Sequence, residues 1–283
     1  MKLISTNVLV MMSLIAFTIS SCKKDNNAAP SFDETVATEI QTSDDVTLDM
    51  FDQVKIVTNN YPVLNGESTS TVATETVLKP SSCAVVTGTE GNTWPKTVTI
   101  DFGAGCTNDK DVTHKGKISA VFSKPWTEIG ATVTLTFENF FVDSVQLDGT
   151  KTFTNNGVNI PEGTYSYSVK ANRVKITDKG TATWSSERTV TWNTHMTPFD
   201  PFDDSYSVQG WIKGTTKRGI EYDATTTKDL VKNVSCRWIS KGAVEIKANN
   251  RVATIDYGNG ECDNDALLII NGHSKAIKIR RGK

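Results

Sequence analysis

One thiol in this chain stands where its neighbours dictate its chemistry. Cys22 follows Ser20-Ser21, and ahead of those small residues runs an apolar stretch from Val8 to Ile19, with Lys2 near its start. A positive end, about a dozen apolar residues and small side chains before a cleavage point make a secretory leader. With Cys22 at that point the layout resembles a lipobox, in which the cysteine becomes the first mature residue and takes a diacylglyceryl group on its sulfur and an acyl chain on its freed amine. The alternative is an ordinary leader with a chance cysteine beside its cleavage point. At ~0.8 kcal/mol per buried CH2, several chains together hold a protein to a bilayer where one does not. The apolar stretch is shorter than the ~20 residues needed to cross a membrane. Ser21 stands where such sites usually carry Gly or Ala, and it is still small enough for a peptidase that selects on size.

Other residues offer weaker chemistry. Four further cysteines (Cys83, Cys106, Cys236 and Cys262) lack the short Cys-x2-4-Cys spacing of zinc sites. The three histidines are scattered, so no thiol–imidazole pair is marked. Phe199-Asp200-Pro201-Phe202-Asp203-Asp204 crowds three carboxylates into one loop, making Asp200, Asp203 and Asp204 candidate Ca²⁺ ligands. The loop lacks the alternation and closing glutamate of a calcium site, so a solvated acidic turn is the plainer reading. Among six tryptophans, Trp94 and Trp126 are candidate ligand-binding residues, because each adjoins a proline in a turn-like context. Their flat rings suit stacking on sugars, and packing in the core is the competing use. Nucleophile elbow, His-Glu-x-x-His, Walker loop and dinucleotide fingerprint are all missing, and no cofactor is expected.

The elements that must carry these residues are strands. Thr132 to Phe137 alternates threonine with apolar side chains, and Arg188 to Trp192 and Ala276 to Arg280 do the same. That period of two marks half-buried strands. Asp148-Gly149, Asn156-Gly157, Asp178-Lys179-Gly180 and Asn271-Gly272 suit hairpin turns. Leu267 to Ile270 and Lys275 to Ile279 therefore read as one hairpin. Helix is expected only near the start, where Val46, Met50, Phe51 and Val54 share a face and Ser43-Asp44-Asp45 supplies a cap. That predicts one short helix within about residues 44 to 57. The fold class is all-β and mainly antiparallel, a sandwich or extended meander with that single helix.

Thr99-Ile100-Asp101-Phe102-Gly103-Ala104-Gly105-Cys106 is echoed by Thr254-Ile255-Asp256-Tyr257-Gly258-Asn259-Gly260-Glu261-Cys262. Each copy has another cysteine upstream by a similar interval, so of the three pairings that four cysteines allow, the echo selects Cys83–Cys106 and Cys236–Cys262. These segments, with Gly116-Lys117-Ile118, resemble an uncharacterised Bacteroidota lipoprotein family with repeated TIDFGxGC-type segments. Lys23-Lys24-Asp25 is similar to the charged signal after the lipidated cysteine in surface-exposed lipoproteins of that phylum. The resemblance implies an all-β body at the outer membrane, on its cell-surface side, and no assigned activity.

The expected organisation is a leader over 1–21, a lipidated tether over 22–32, a helical segment over 33–62 and β modules over 63–160 and 161–283. Cleavage leaves 29 Lys and Arg against 32 Asp and Glu, a formal net charge of −3. Nucleic acid is not an expected partner, since binding it calls for a basic face. The expected partners are the membrane, through the anchor, and a glycan or envelope-protein ligand. The expected function is non-catalytic binding or scaffolding, and the alternative is a surface hydrolase using paired carboxylates on glycans.

Overall fold

A computed structural model describes residues 32–67, 76–77, 83–88, 93–108, 110–177, 180–194 and 204–279. Cys22, Asp200 and Asp203 lie outside the described residues, as do the leader and almost all of the tether.

Helix α1 runs Glu34–Asn60. Asp33 caps it, its Oδ1 accepting from Thr35 N at 2.9 Å, and the proline at 62 prevents its continuation. The helix is nearly twice as long as the stretch expected from 44 to 57. Its extra turns bury Val36, Ala37 and Ile40, and its polar residues Gln41, Thr42, Ser43, Asp44, Asp45, Thr47 and Asp49 are buried too. A search for one apolar stripe finds only part of a helix that is enclosed on all sides.

The strands are β1 (Thr76–Val77), β2 (Val85–Gly88), β3 (Lys96–Asp101), β4 (Cys106–Thr107), β5 (Thr113–Phe122), β6 (Thr132–Val142), β7 (Val145–Asn159) and β8 (Thr164–Thr177). They continue as β9 (Thr181–Asn193), β10 (Ser205–Thr215), β11 (Glu221–Asn233), β12 (Lys241–Ala248), β13 (Arg251–Asn259), β14 (Asp265–Ile270) and β15 (His273–Lys278). Fourteen of them form one antiparallel meander in chain order, with β4 paired separately to β5. The arrangement is therefore the meander and not the sandwich. Residues 160 and 161 fall in the connection between β7 and β8, which pair along most of their length.

The sheet is coiled around α1. Side chains of the helix, or of Tyr61 just after it, reach β2, β5, β7, β8, β9, β10, β11 and β15. Laid flat, the strands from β2 to β15 would span about 58 Å at ~4.8 Å per strand, against a helix ~10–12 Å across. Only a strongly curled sheet brings all of them to one rod. The register breaks in several pairs, for example between Lys115 and Lys117 in β5 and between Lys241 and Ala243 in β12. Bulges of this kind sharpen twist and bend a sheet. Asp148-Gly149 and Asn156-Gly157 belong to two such irregularities inside the long strand β7 and are not hairpin turns. Glycine at positive φ serves a bulge as well as a turn. Asn271-Gly272 does connect β14 to β15, with φ of 50° and 78°.

The inner face of the sheet is apolar and ionic by turns. On β9, Ala182, Trp184, Ser186, Arg188 and Val190 are buried in alternation. Arg188 Nη2 donates to Asp44 Oδ1, and Nη1 donates to Thr226 Oγ1 at 3.0 Å. His114 meets Asp49 at 2.8 Å, Lys151 donates to Thr47 Oγ1 at 2.9 Å, and Lys232 lies 3.9 Å from Asp45. Burial alone would raise the Asp49 carboxyl, but His114 overrides it and holds the group below the usual carboxylate range. Burial opposes charge on His114 as well, and Asp49 lifts the imidazole above its ordinary value. Both shifts describe a carboxylate–imidazolium pair.

The two disulfides are Cys83–Cys106 and Cys236–Cys262. Each joins the approach to one strand with the Gly-rich turn that follows the next. Ile100 pairs with Val86 and Ile118 in the first unit, and Ile255 pairs with Val244 and Leu268 in the second. All six are buried. The turns match as well: Asp101 accepts from Gly103 N at 2.8 Å, and Asp256 from Gly258 N at 2.9 Å.

Candidate ligand site

At the C-terminal end of α1, three aromatic residues stand in register across neighbouring strands. Tyr165 of β8 pairs with Trp192 of β9, which pairs with Tyr206 of β10. Period-two alternation sends all three to the face that meets the helix. The Tyr165 and Trp192 rings stack with centroids 5.1 Å apart. One step further along the strands, Tyr167 stacks on Trp126 at 5.3 Å and packs against Phe51 of α1 at 4.8 Å.

Between this aromatic surface and the helix end lies a pocket of about 360 Å³. Its walls include Lys55, Thr58, Asn59, Asn65, Trp126, Ile129, Asn155, Val158, Tyr165, Tyr167 and Trp192. The size falls within the range of small-ligand sites, and so does the mixture of apolar rings with a few polar groups. Several amides are already engaged: Asn155 Nδ2 donates to Trp126 O at 2.7 Å and Asn65 Nδ2 to Thr58 O at 3.1 Å. Ile129, Val158 and Tyr165 are exposed, so the mouth carries apolar surface open to solvent.

Behind the row, the charged groups form a balanced set. Lys55 Nζ lies 3.5 Å from the Trp192 ring centroid and donates to Tyr206 Oη at 3.0 Å. Tyr206 Oη donates to Asp52 Oδ1 at 2.8 Å, Trp192 Nε1 donates to Asp204 Oδ2 at 2.7 Å, and Lys110 lies 3.6 Å from Asp52. Burial pulls the Lys55 ammonium down to about 8, although Asp52 and Asp204 both oppose that. Burial also pushes the Tyr206 phenol well above its ordinary value, with the nearby carboxylates adding to the rise.

Of the tryptophans singled out by sequence, Trp126 lines this pocket but is buried and stacked, so its ring serves as wall. Trp94 is half-buried against the core and is not among the lining residues. Asp204 is buried and accepts from Trp192, which spends one carboxylate oxygen on holding an aromatic ring. Among the described residues, no group of three His, Cys, Asp or Glu side chains is placed to hold a metal ion. Sequence reasoning missed Lys55, Tyr165, Tyr167 and Trp192 as a set. The alternating Tyr165/Tyr167 and Val190/Trp192 pairs were the available signal, but only strand register shows that they meet.

No protein-family model matches the chain, and no curated protein or solved structure matches it.

Proposed function

We propose that this chain is a lipid-anchored cell-envelope protein whose β body is a non-catalytic binding module, with a carbohydrate as the ligand of the aromatic pocket. The observation that carries this reading is the registered row Tyr165–Trp192–Tyr206 beside an open pocket. A pyranose ring offers an apolar C–H face for such rings and a rim of hydroxyls for the Asn59 amide and the Lys55 amine. Lys55 and Lys110 are balanced by Asp52 and Asp204, which favours a neutral sugar over an acidic one. Neither carboxylate is among the lining residues, and both already accept hydrogen bonds from the fold, which favours binding over hydrolysis.

The geometry suits display from a membrane. The 27-residue helix is about 40 Å long, and within the body the pocket lies at its C-terminal end. The charged Lys23-Lys24-Asp25 signal supports the cell-surface side of the outer membrane. The matching registers of the two disulfide units support a duplicated strand–strand–Gly-turn–Cys module.

The test is a glycan array probed with detergent-solubilised full-length protein, followed by titration of hits through tryptophan fluorescence. Trp192→Ala should weaken a genuine hit by at least about tenfold while leaving the melting transition in place. Array silence, or a hit indifferent to Trp192→Ala, overturns the pocket as a carbohydrate site.

A further inference from the structure

Lys55 is the single lysine among the residues lining the aromatic pocket. Its amine, the Tyr206 hydroxyl and the Asp52 carboxylate form a chain of hydrogen bonds at 3.0 and 2.8 Å, and the first member belongs to the pocket wall. The groups facing it come from several elements: Asp52 from α1, Asp204 from the residue before β10, Lys110 from the β4–β5 connection, and Tyr165 and Tyr167 from β8. A lysine desolvated beside apolar rings is the arrangement that yields a neutral, nucleophilic amine near neutral pH. With the Lys55 ammonium brought down to about 8, roughly a quarter of it is neutral at pH 7.5, against about one part in a thousand for an ordinary lysine.

We propose that Lys55 captures small, flat aldehydes that enter this pocket, holding them as a reversible imine. The Nζ lone pair adds to the carbonyl carbon, and a proton passes from nitrogen to the carbonyl oxygen by way of a solvent water at the pocket mouth. The resulting carbinolamine expels water as the C=N bond forms. No electrons are gained or lost, and added water reverses the step. The rings of Tyr165 and Trp192 supply the apolar wall that selects a flat carbonyl compound. The proposal uses the pocket's opening and its amine, and it does not depend on a carbohydrate binding there.

Lys151 provides the contrast. Burial takes its ammonium to about 7, but the side chain is 1% exposed and donates to Thr47 Oγ1 beneath the helix. A low proton affinity without an opening gives no site.

The experiment is treatment of the full-length protein with pyridoxal, trapping with borohydride and peptide mapping. Lys55 should be labelled at least about tenfold faster than the exposed Lys170 and Lys213, at a rate rising through pH 8, with Lys151 unlabelled. Lys55→Arg should remove that adduct alone. Equal rates at Lys55 and Lys170 overturn the proposal, as does fast labelling centred on any other lysine. If Lys55→Arg does not fold, the wild-type map decides alone. Lys55 labelling without any glycan hit defeats the carbohydrate reading only, and glycan binding without selective labelling defeats this one only.

Discussion

Arg188 and Asp44 meet where neither can reach water, so each depends on the other for its solvation. Breaking such a pair leaves a buried charge, and Asp44→Ala should cost about 3–5 kcal/mol in urea unfolding. Replacing both, as Asp44→Leu with Arg188→Met, should cost less than either single change, because no uncompensated charge remains. The His114–Asp49 pair makes a pH-dependent contribution. The His114 pKa is raised on folding, so its stabilisation is complete below about 6.5 and fades as pH climbs through the raised folded value. The Asp49 pKa is lowered, so its share is present above about 3.8 and is lost as pH falls through the lowered value. Lys151 works in the other direction, since its folded pKa of about 7 makes stability rise with pH from there to about 10.5. The profiles of His114→Gln and wild type should therefore be subtracted. The urea-midpoint difference between them should be larger at pH 5.5 than at pH 8.5, and a difference independent of pH would show that the imidazole is not charged. None of these partnerships was legible from sequence. A threonine-alternating strand identifies which positions turn inward, but not that the interior is ionic at Lys151, Arg188 and Lys232.

The strands themselves were legible, because period-two alternation survives on both an apolar and an ionic inner face. So were the β14–β15 hairpin, from Asn271-Gly272, and the two disulfides, from the echoed turns. The helix was only half legible, since Ser43-Asp44-Asp45 read as its cap while these residues in fact lie mid-helix, where Asp44 and Asp45 meet cations. Asp148-Gly149 misled for a different reason, marking a bulge in a strand that continues. Gly242 lies at another such bulge, with φ of 112° and a built Cβ only 2.2 Å from the Asp229 carbonyl oxygen. Gly242→Ala should cost at least about 2 kcal/mol, through backbone strain and a contact that cannot relax without breaking the β11–β12 register. Gly219 has a similar positive φ of 78° but open space around it, so Gly219→Ala should cost only about 1 kcal/mol. Paired thermal or urea melts separate steric closeness from dihedral strain. Removing either disulfide, as Cys83→Ser/Cys106→Ser or Cys236→Ser/Cys262→Ser, should cost about 3 kcal/mol, each opening a loop of similar length.

For the molecule as a whole, the anchoring reading predicts that Cys22→Ala moves the protein from the membrane pellet to the soluble fraction. Retention in the pellet after a salt wash would count against it. The pocket is built from residues 55–192 and should be indifferent to that change, so ligand titrations of the released form should match those of the anchored one. The site was partly legible through Trp126. Its other walls come from the end of α1 and from strands that meet it only through the curl of the sheet, and no spacing rule on the sequence delivers that. The enclosed helix bears on synthesis as well. Glu34 ends up beside Lys275, 241 residues later, and Asp44 waits 144 residues for Arg188. Synthesis delivers the chain from its N-terminus, so the segment destined for the centre emerges before the strands that will shelter it. Its carboxylates keep it hydrated through that interval, where an oily rod of the same length would clump with its neighbours. The same charges that make the finished interior costly thus make the nascent chain safe to hold open.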